Sequence, residues 1–508
     1  MIDALLIYPK LGSMDSMVVD IPLSIIYAAS DSVKQGYNIK LIDLRCEDND
    51  WKSALKNHLS KKVLLAGVSV MTGMPLYYAR EASLFIKNHY PEIKIVWGGP
   101  HCTVLPETIN EPFIDFLIRG YGSTSLAELV KLLKSKSNDF STIHGLSYKQ
   151  NGQIFHNPSA SKFEMLHYAD IPYHLIDVTS PHYVRAYSSF QLFPMFTSIG
   201  CPYQCSFCLS PATYRVINGK KWLPYPDEEI LAHMEYIIKQ FGVSHISIID
   251  DTSFPDINRM RRIFNMIIER KIKVTLDFRG ARVNEIDRMD DDFINLMIKA
   301  GGRFLMVGVE SASNRLLKTM QKGITKEQIL RVNRKLAQFP ELIPHYNFIY
   351  GTPGETYDDL VETKDVVLEL LKDNPNAYFG FGGDWKPIPG SKMLETAEKQ
   401  FNYKAPQTLN DWIEIDSSDA NSKIVHSWYT RRQNNMIKLM QISSFAIDNK
   451  LIKESSPNKS AMFKILRFLS RYYKPIAMIR LRFNLHHFMI EYYIYLLMVK
   501  IMRNLKST

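Results

Sequence analysis

The feature that most constrains this chain is an alternation, repeated in two arrays, of short apolar runs with longer stretches carrying apolar residues at helical spacing. The first array has strand-like runs at 4–8, 38–44, 63–70, 93–97 and 115–119, with helical patterns at 22–35, 75–89 and 125–134. The second has strand-like runs at 195–199, 245–249, 273–278, 303–309, 345–350 and 378–382, and each interval accommodates one crossover helix. Strands that are apolar on both faces must be covered on both faces, so each array predicts a parallel sheet flanked by helices. The chain therefore reads as α/β. A Rossmann-like, flavodoxin-like sheet is expected over 1–136, and a connector with a hairpin turning at Asn151-Gly152 over 137–190. A partial (β/α)6 TIM-type barrel is expected over 191–392 and a helical region over 393–508.

Ligands of such sheets gather at the carboxyl ends of the strands. In the first array those turns fall at 8–12, 69–73, 98–103 and 120–123, and three of the four are rich in Gly, Ser or Thr. A chain of 508 residues, 46% of them hydrophobic, has ample core for two to four domains and is neither fibrous nor mostly disordered. Its net charge of +10 is uneven. Residues 451–508 carry eleven Lys and Arg against Glu454 and Glu491, a net +9, so the body is nearly neutral. The five cysteines are too few and too uneven for a disulfide framework. Near Met1 no basic segment or cleavage signature precedes the first apolar run, and no run reaches the ~18 apolar residues of a spanning helix. The expected compartment is reducing and cytoplasmic.

Three of the five cysteines fall in one loop, Cys201-Pro-Tyr-Gln-Cys205-Ser-Phe-Cys208, directly after the first strand of the second array. Thiolates are soft ligands for iron–sulfur clusters, zinc or Cu(I). A structural zinc site needs a fourth ligand, which this run does not contain, whereas a [4Fe–4S] cluster held by three cysteines leaves one iron open. The spacing Cys201-x3-Cys205-x2-Cys208, with aromatic Phe207 before the last cysteine, resembles the signature of the radical S-adenosylmethionine (SAM) family. The resemblance implies that these three cysteines hold a [4Fe–4S] cluster whose open iron binds SAM. It also implies that reductive cleavage of SAM gives a 5′-deoxyadenosyl radical. Asp250 and Asp251, after the second barrel strand, stand where family members contact SAM, although the usual Gly-Gly-Glu is absent. Arg282 and Glu310 match positions that commonly hold SAM's carboxylate and ribose. Gly351, in Asn347-Phe-Ile-Tyr-Gly351-Thr-Pro-Gly-Glu355, lies in a stretch resembling the glycine motif near adenine.

The first array resembles the cobalamin-binding domain that often precedes this barrel. Its matching stretches include Gly67-Val-Ser69-Val-Met-Thr72-Gly73, Trp97-Gly98-Gly99-Pro100-His101 and Arg119-Gly120-Tyr-Gly122. The resemblance implies Ser69, Thr72, Gly98 and Gly99 as cobalamin contacts, small residues that let a nucleotide tail lie on backbone amides. The Asp-x-His-x-x-Gly motif is absent and no histidine precedes His58, so the lower face of cobalt is expected to lack a histidine; His101 reads as a polar loop residue. A methylthiotransferase would bring three more cluster cysteines, whereas this region has only Cys46 and Cys102.

Beyond 391 no motif stands out. Ile476, Ile479, Phe483, Ile490, Ile494, Leu497 and Ile501 recur at helical spacing, with Leu481, Leu485, Phe488, Met489 and Leu496 on other faces. Two readings stand: a helical cap on the barrel, or a segment whose basic flanks meet anionic lipid at a membrane surface. No nucleic-acid module accompanies the basic residues, and no nucleic-acid partner is expected. The family resemblance implies a cobalamin-dependent methylase of an unactivated carbon, with an external electron donor such as flavodoxin or ferredoxin and a small-molecule or lipid-like substrate. A non-methylating cyclase or ring-rearranging oxidoreductase, and a non-catalytic cofactor-binding scaffold, are the alternatives. No catalytic residue is assigned.

Overall fold

The computed structural model describes residues 1–15, 18–47, 50–60, 62–159, 165–184, 191–216, 221–380, 383–415, 428–448, 461–487 and 489–493. Phe381 and Gly382 of the last predicted strand, and Phe488, Ile494, Leu496, Leu497 and Ile501 of the C-terminal pattern, lie outside them.

The first sheet contains β1 (Ile2–Tyr8), β2 (Ile39–Asp43), β3 (Val63–Ser69), β4 (Lys94–Gly98) and β5 (Phe116–Ile118), all parallel, followed by antiparallel β6 (Leu146–Gln150) and β7 (Gln153–His156). Strand order is β2-β1-β3-β4-β5-β6-β7. Its helices are α1 (Leu23–Lys34), α2 (Trp51–Leu59), α3 (Met74–His89), α4 (Pro100–Val104) and α5 (Ser123–Lys134). Alternate residues of β1 serve two cores. Leu6 packs with Ile26 and Ala29 of α1, while Leu5 and Ile7 pack with Leu76 and Ala79 of α3. This two-sided burial explains why the run is continuously apolar. The hairpin expected in the connector turns at Asn151 (φ +50°) and Gly152 (φ +76°), and it pairs with β5. The first sheet therefore runs on through His156.

The second sheet is wholly parallel, in the order β15-β14-β13-β12-β11-β8. These strands are β8 (Phe193–Met195), β11 (His245–Ile248), β12 (Thr275–Arg282), β13 (Gly302–Glu310), β14 (Ile343–Phe348) and β15 (Tyr378–Gly380). Its end strands do not pair, which makes it an open, six-stranded partial barrel. The run predicted at 195–199 is split: β8 ends at Met195, and β9 (Ser198–Gly200) turns away to pair antiparallel with β10 (Trp222–Pro224) beside the cysteine loop. The helices are α6 (Leu209–Val216), α7 (Asp227–Phe241), α8 (Ile257–Glu269), α9 (Val283–Asp287), α10 (Asp291–Lys299), α11 (Asn314–Thr319), α12 (Lys326–Leu336) and α13 (Tyr357–Asp373). After the barrel come α14 (Lys392–Phe401), α15 (Leu409–Glu414), α16 (Arg431–Ile447) and the helix Ala461–Arg482.

The two sheets meet at the carboxyl ends of their strands. Asp20, which follows β1 and precedes α1, receives both terminal nitrogens of Arg279 on β12, at 2.5 and 2.7 Å. Arg45 grips the same N-terminal loop, donating to the carbonyls of Val18 and Asp20 and forking onto Asp43. Tyr121, after β5, bonds Tyr214 of α6, and Trp412 of α15 meets His101 of α4 edge-on at 6.0 Å.

Candidate functional site

The cysteine loop is held by buried polar groups at the carboxyl ends of β11, β12 and β13 and in the segments that follow them. Asp250, 2% exposed after β11, accepts from the Thr197 backbone N–H at 2.7 Å and from the Thr197 and Ser198 hydroxyls at 2.6 and 2.7 Å. Burial raises its pKa to about 6, and the three donors oppose that rise. Its carboxylate thus braces the chain entering the loop. Asp251 instead accepts from Ser210 and Tyr214, beside the exit of the loop. Of the two aspartates, it is the exposed one.

Arg282, at the end of β12, is almost fully committed. It donates to Cys205 Sγ at 3.3 Å, to the Lys322 carbonyl at 2.6 Å and to Asn284 at 3.3 Å, and its guanidinium lies 3.8 Å above the ring of Tyr203. It therefore staples the cysteine loop from within. Next to it, fully buried Glu285 accepts from Thr252 at 2.7 Å and bonds Tyr203. Glu310, at the end of β13, pairs with Lys322 at 2.7 Å, both side chains being nearly buried. Gly308 makes room for this pair: a Cβ there would come 2.5 Å from Glu310 Oε1 and 2.8 Å from Lys322 Nζ. Lys322 also lies 5.7 Å over Phe207, within the cysteine loop. Gly351 (φ +85°) donates its N–H to Glu355 at 2.6 Å, so this motif closes as a tight turn after β14.

The structure thus joins Cys205, Arg282, Lys322 and Glu310 in one connected chain. Sequence reasoning found three of them. Lys322 and Glu285 were missed, and neither carries a spacing signal, because their partners lie on other elements.

The donor set fits a [4Fe–4S] cluster. Burial lifts Cys201 to about 12 and raises Cys208 as well. Burial thus disfavours these thiolates, and the positive charge of a bound cluster's iron would stabilise them. Among the described residues no three His, Cys, Asp or Glu side chains converge on a single metal ion. The hydroxyls of Ser253 and Thr352, in the β11 and β14 turns, are buried with no hydrogen-bond partner among the described residues. Such groups are hydrogen-bonded in nearly all folded proteins, and their orphaned state fits a polar ligand.

The facing lip is built differently. Ser69, Thr72, Gly98 and Gly99 are half-buried at the ends of β3 and β4. Gly99 adopts φ +110° and ψ −176°, and a Cβ there would lie 2.6 Å from the Val70 carbonyl. The two turns therefore touch through backbone. Ser69 bonds Ser24 at 3.1 Å, and Thr103 links the Gly99 carbonyl to the Gly120 N–H, each at 2.9 Å. The side chains on this lip are small, and none of its four residues is fully buried. His101, expected in a loop, instead starts the second residue of α4, is 1% exposed, and is held by Thr72 at 3.0 Å. Burial lowers its pKa to about 4, so it stays neutral. It is not presented as a ligand.

Comparisons with known proteins agree with this division. The B12 binding domain model matches 14–130, and the Radical SAM superfamily model matches 195–367. An uncharacterized methyltransferase of Pyrococcus horikoshii is 29% identical over 478 residues, covering 92% of this chain and 98% of the relative. An anaerobic magnesium-protoporphyrin IX monomethyl ester cyclase of Synechocystis is 23% identical, over 62% of each chain. Two solved structures share the fold. The radical SAM methyltransferase TsrM of Kitasatospora setae, with cobalamin and a [4Fe–4S] cluster bound, superposes with a TM-score of 0.63 at 19% identity, over 78% of this chain and 75% of that one. The cobalamin-dependent SAM radical enzyme OxsB, with aqua-cobalamin bound, gives 0.67 at 18%, over 94% and 72%.

Proposed function

The chain belongs to the radical SAM enzymes that carry an N-terminal B12-binding domain, with a [4Fe–4S] cluster, SAM and cobalamin as cofactors, and from this premise we propose that it is a methylase acting on an unactivated carbon. The observation that carries the reading is the meeting of the two lips. Asp20 reaches Arg279 from the first sheet, and Tyr121 meets Tyr214 beside the cysteine loop, so the carboxyl ends of the two sheets adjoin. When bound, the cluster and SAM supply a radical that removes hydrogen from the substrate, and cobalamin supplies the methyl group.

The protein's own part is positioning. Cys201, Cys205 and Cys208 hold the cluster, while Asp250 and Arg282 fix the loop that carries them. Glu310 and Lys322 neutralise one another and keep a charged but balanced end to β13. In this reading the unpartnered hydroxyls of Ser253 and Thr352, the turn at Gly351 and the exposed Asp251 are the candidates for bonding SAM. Ser69, Thr72, Gly98 and Gly99 line the cobalamin lip. The substrate is a small molecule, and an external donor such as flavodoxin or ferredoxin brings the electron. The relative named as a methyltransferase aligns over nearly its whole length, which supports methylation. The second reading, a non-methylating cyclase, draws on relatives that align over less of the chain.

The test is an anaerobic reaction with methyl-labelled SAM and candidate substrates. Label is expected in the product, and a product formed without label sinks the methylase reading. The Cys205→Ala variant is expected to take up no iron and to transfer no label.

A further inference from the structure

The C-terminal helix Ala461–Arg482 runs along α16 and is fastened there from within. Buried Lys364 of α13 donates to the Leu481 carbonyl at 2.9 Å, and Ala477 and Leu481 are fully buried. The opposite side is apolar and exposed: Phe468 60%, Tyr472 66%, Ile476 53%, Ile479 54% and Phe483 65%. Steps of four, four, three and four residues place these five within about 80° of helix arc, one continuous stripe. The chain then folds back around Arg480, which donates to the carbonyls of Leu485 and His487 at 2.8 and 2.7 Å. That return adds exposed Leu485, Ile490 and Tyr493 near the same end.

The charge beside the stripe has one sign. Arg471 and Arg482 are exposed along one edge of the stripe, and neither forms an ion pair with an acid among the described residues. The acid of this segment, Glu491, is taken by Arg480 and by the Tyr473 hydroxyl at 2.9 Å. An apolar stripe flanked by unneutralised cations matches the headgroup boundary of an anionic bilayer, where apolar side chains enter the acyl edge and cations meet phosphates. A second copy of the same face would bring Arg471 and Arg482 against their own kind. No helix among the described residues is long and apolar enough to cross a membrane.

We propose that the stripe Phe468, Tyr472, Ile476, Ile479 and Phe483, with Arg471 and Arg482 along its edge, docks this protein in the plane of an anionic lipid surface. The test is flotation of the full-length protein with vesicles of phosphatidylglycerol and phosphatidylcholine in equal parts, beside vesicles of phosphatidylcholine alone. Binding to the anionic vesicles is expected, weakening as salt rises. Arg471→Gln and Arg482→Gln should each weaken it about fivefold, from roughly 1 kcal/mol per cation near the surface. Replacing Ile476, Ile479 and Phe483 together by Ser should lower it to about a hundredth or less. These side chains are exposed, so the melting temperature and cofactor content of the variants should match the parent and report an intact fold. Absence of binding, or binding indifferent to the triple replacement, overturns the proposal. So does a parent that is dimeric in solution and becomes monomeric with the triple replacement, without floating on vesicles.

Discussion

The two lips of the site solve opposite problems with opposite materials. The barrel lip is built from buried charge: Asp250, Arg282, Glu285, Glu310 and Lys322 are each under a tenth exposed, and each is bonded to another element. The sheet lip is built from backbone and small side chains, with Gly99 pressed on Val70 and hydroxyls bridging the turns. Charged groups held in a low-dielectric setting suit a cluster and a zwitterionic ligand, because both change charge during chemistry. Bare backbone suits a large corrin with a nucleotide tail, where close approach matters more than charge. Damage to the first lip should therefore act through uncompensated charge, and damage to the second through geometry.

The strongest way to break the contrast is at the buried ion pair. Lys322→Met leaves the Glu310 carboxylate buried without its partner, and removing one member of such a pair costs about 3–5 kcal/mol. Adding Glu310→Gln in the same chain removes the stranded charge, so the double variant should regain most of that loss. Denaturant melts of the two variants check this. Equal instability in both would mean that the pair is held by packing, and the charge-built description of this lip would fail.

A second, smaller effect is a pH signature at the β14 turn. Glu355 is fully enclosed, accepting from the Gly351 N–H at 2.6 Å and the Tyr429 hydroxyl at 2.5 Å, and burial raises its pKa from 4.5 to about 7. The folded state then keeps a proton that the unfolded chain has released, so this group's contribution is full below pH 4.5 and is lost as pH rises towards 7. Glu355→Gln has no proton to lose. The difference in stability between parent and variant should shift by roughly 2–4 kcal/mol across that window, in the variant's favour at the higher pH. Parallel curves for the two proteins would place the carboxyl in a more solvated setting than the structure shows.

How much of this was legible in the sequence follows from where the information lies. The parallel strands were readable because two-sided burial leaves continuous apolar runs, as in Leu5-Leu6-Ile7. The hairpin at Asn151-Gly152 was readable as a hairpin, but its pairing with β5 was not, since a turn signal says nothing about which edge it joins. The three-residue strands Ser198–Gly200 and Trp222–Pro224 are too short to show alternation. The cysteine loop was legible because its chemistry sits within one local run. Lys322 was invisible because its meaning comes from Glu310 and Arg282, brought together by the barrel. Asp250 was found by position, yet position at a strand end leaves open whether a carboxylate faces a ligand or the preceding strand. Here it faces Thr197 and Ser198.

The finest test separates two neighbouring glycines on the sheet lip. Gly99 has φ +110° with an extended ψ, a conformation open to little but glycine, and a Cβ there would press the Val70 carbonyl at 2.6 Å. Gly99→Ala should therefore cost about 1–3 kcal/mol of stability before any ligand is considered. At Gly98 the nearest atom to an added Cβ is the Ile118 carbonyl oxygen at 3.7 Å, ordinary contact, so Gly98→Ala should shift stability by no more than about 0.5 kcal/mol. Its methyl group would nevertheless stand on the half-buried lip proposed to hold cobalamin. Cobalamin titration followed by absorbance should then show Gly98→Ala with weakened binding and an unchanged melt, and Gly99→Ala with both impaired. If Gly98→Ala binds cobalamin as the parent does, the corrin does not rest on this turn, and the backbone-built lip holds its ligand elsewhere along the edges of β3 and β5.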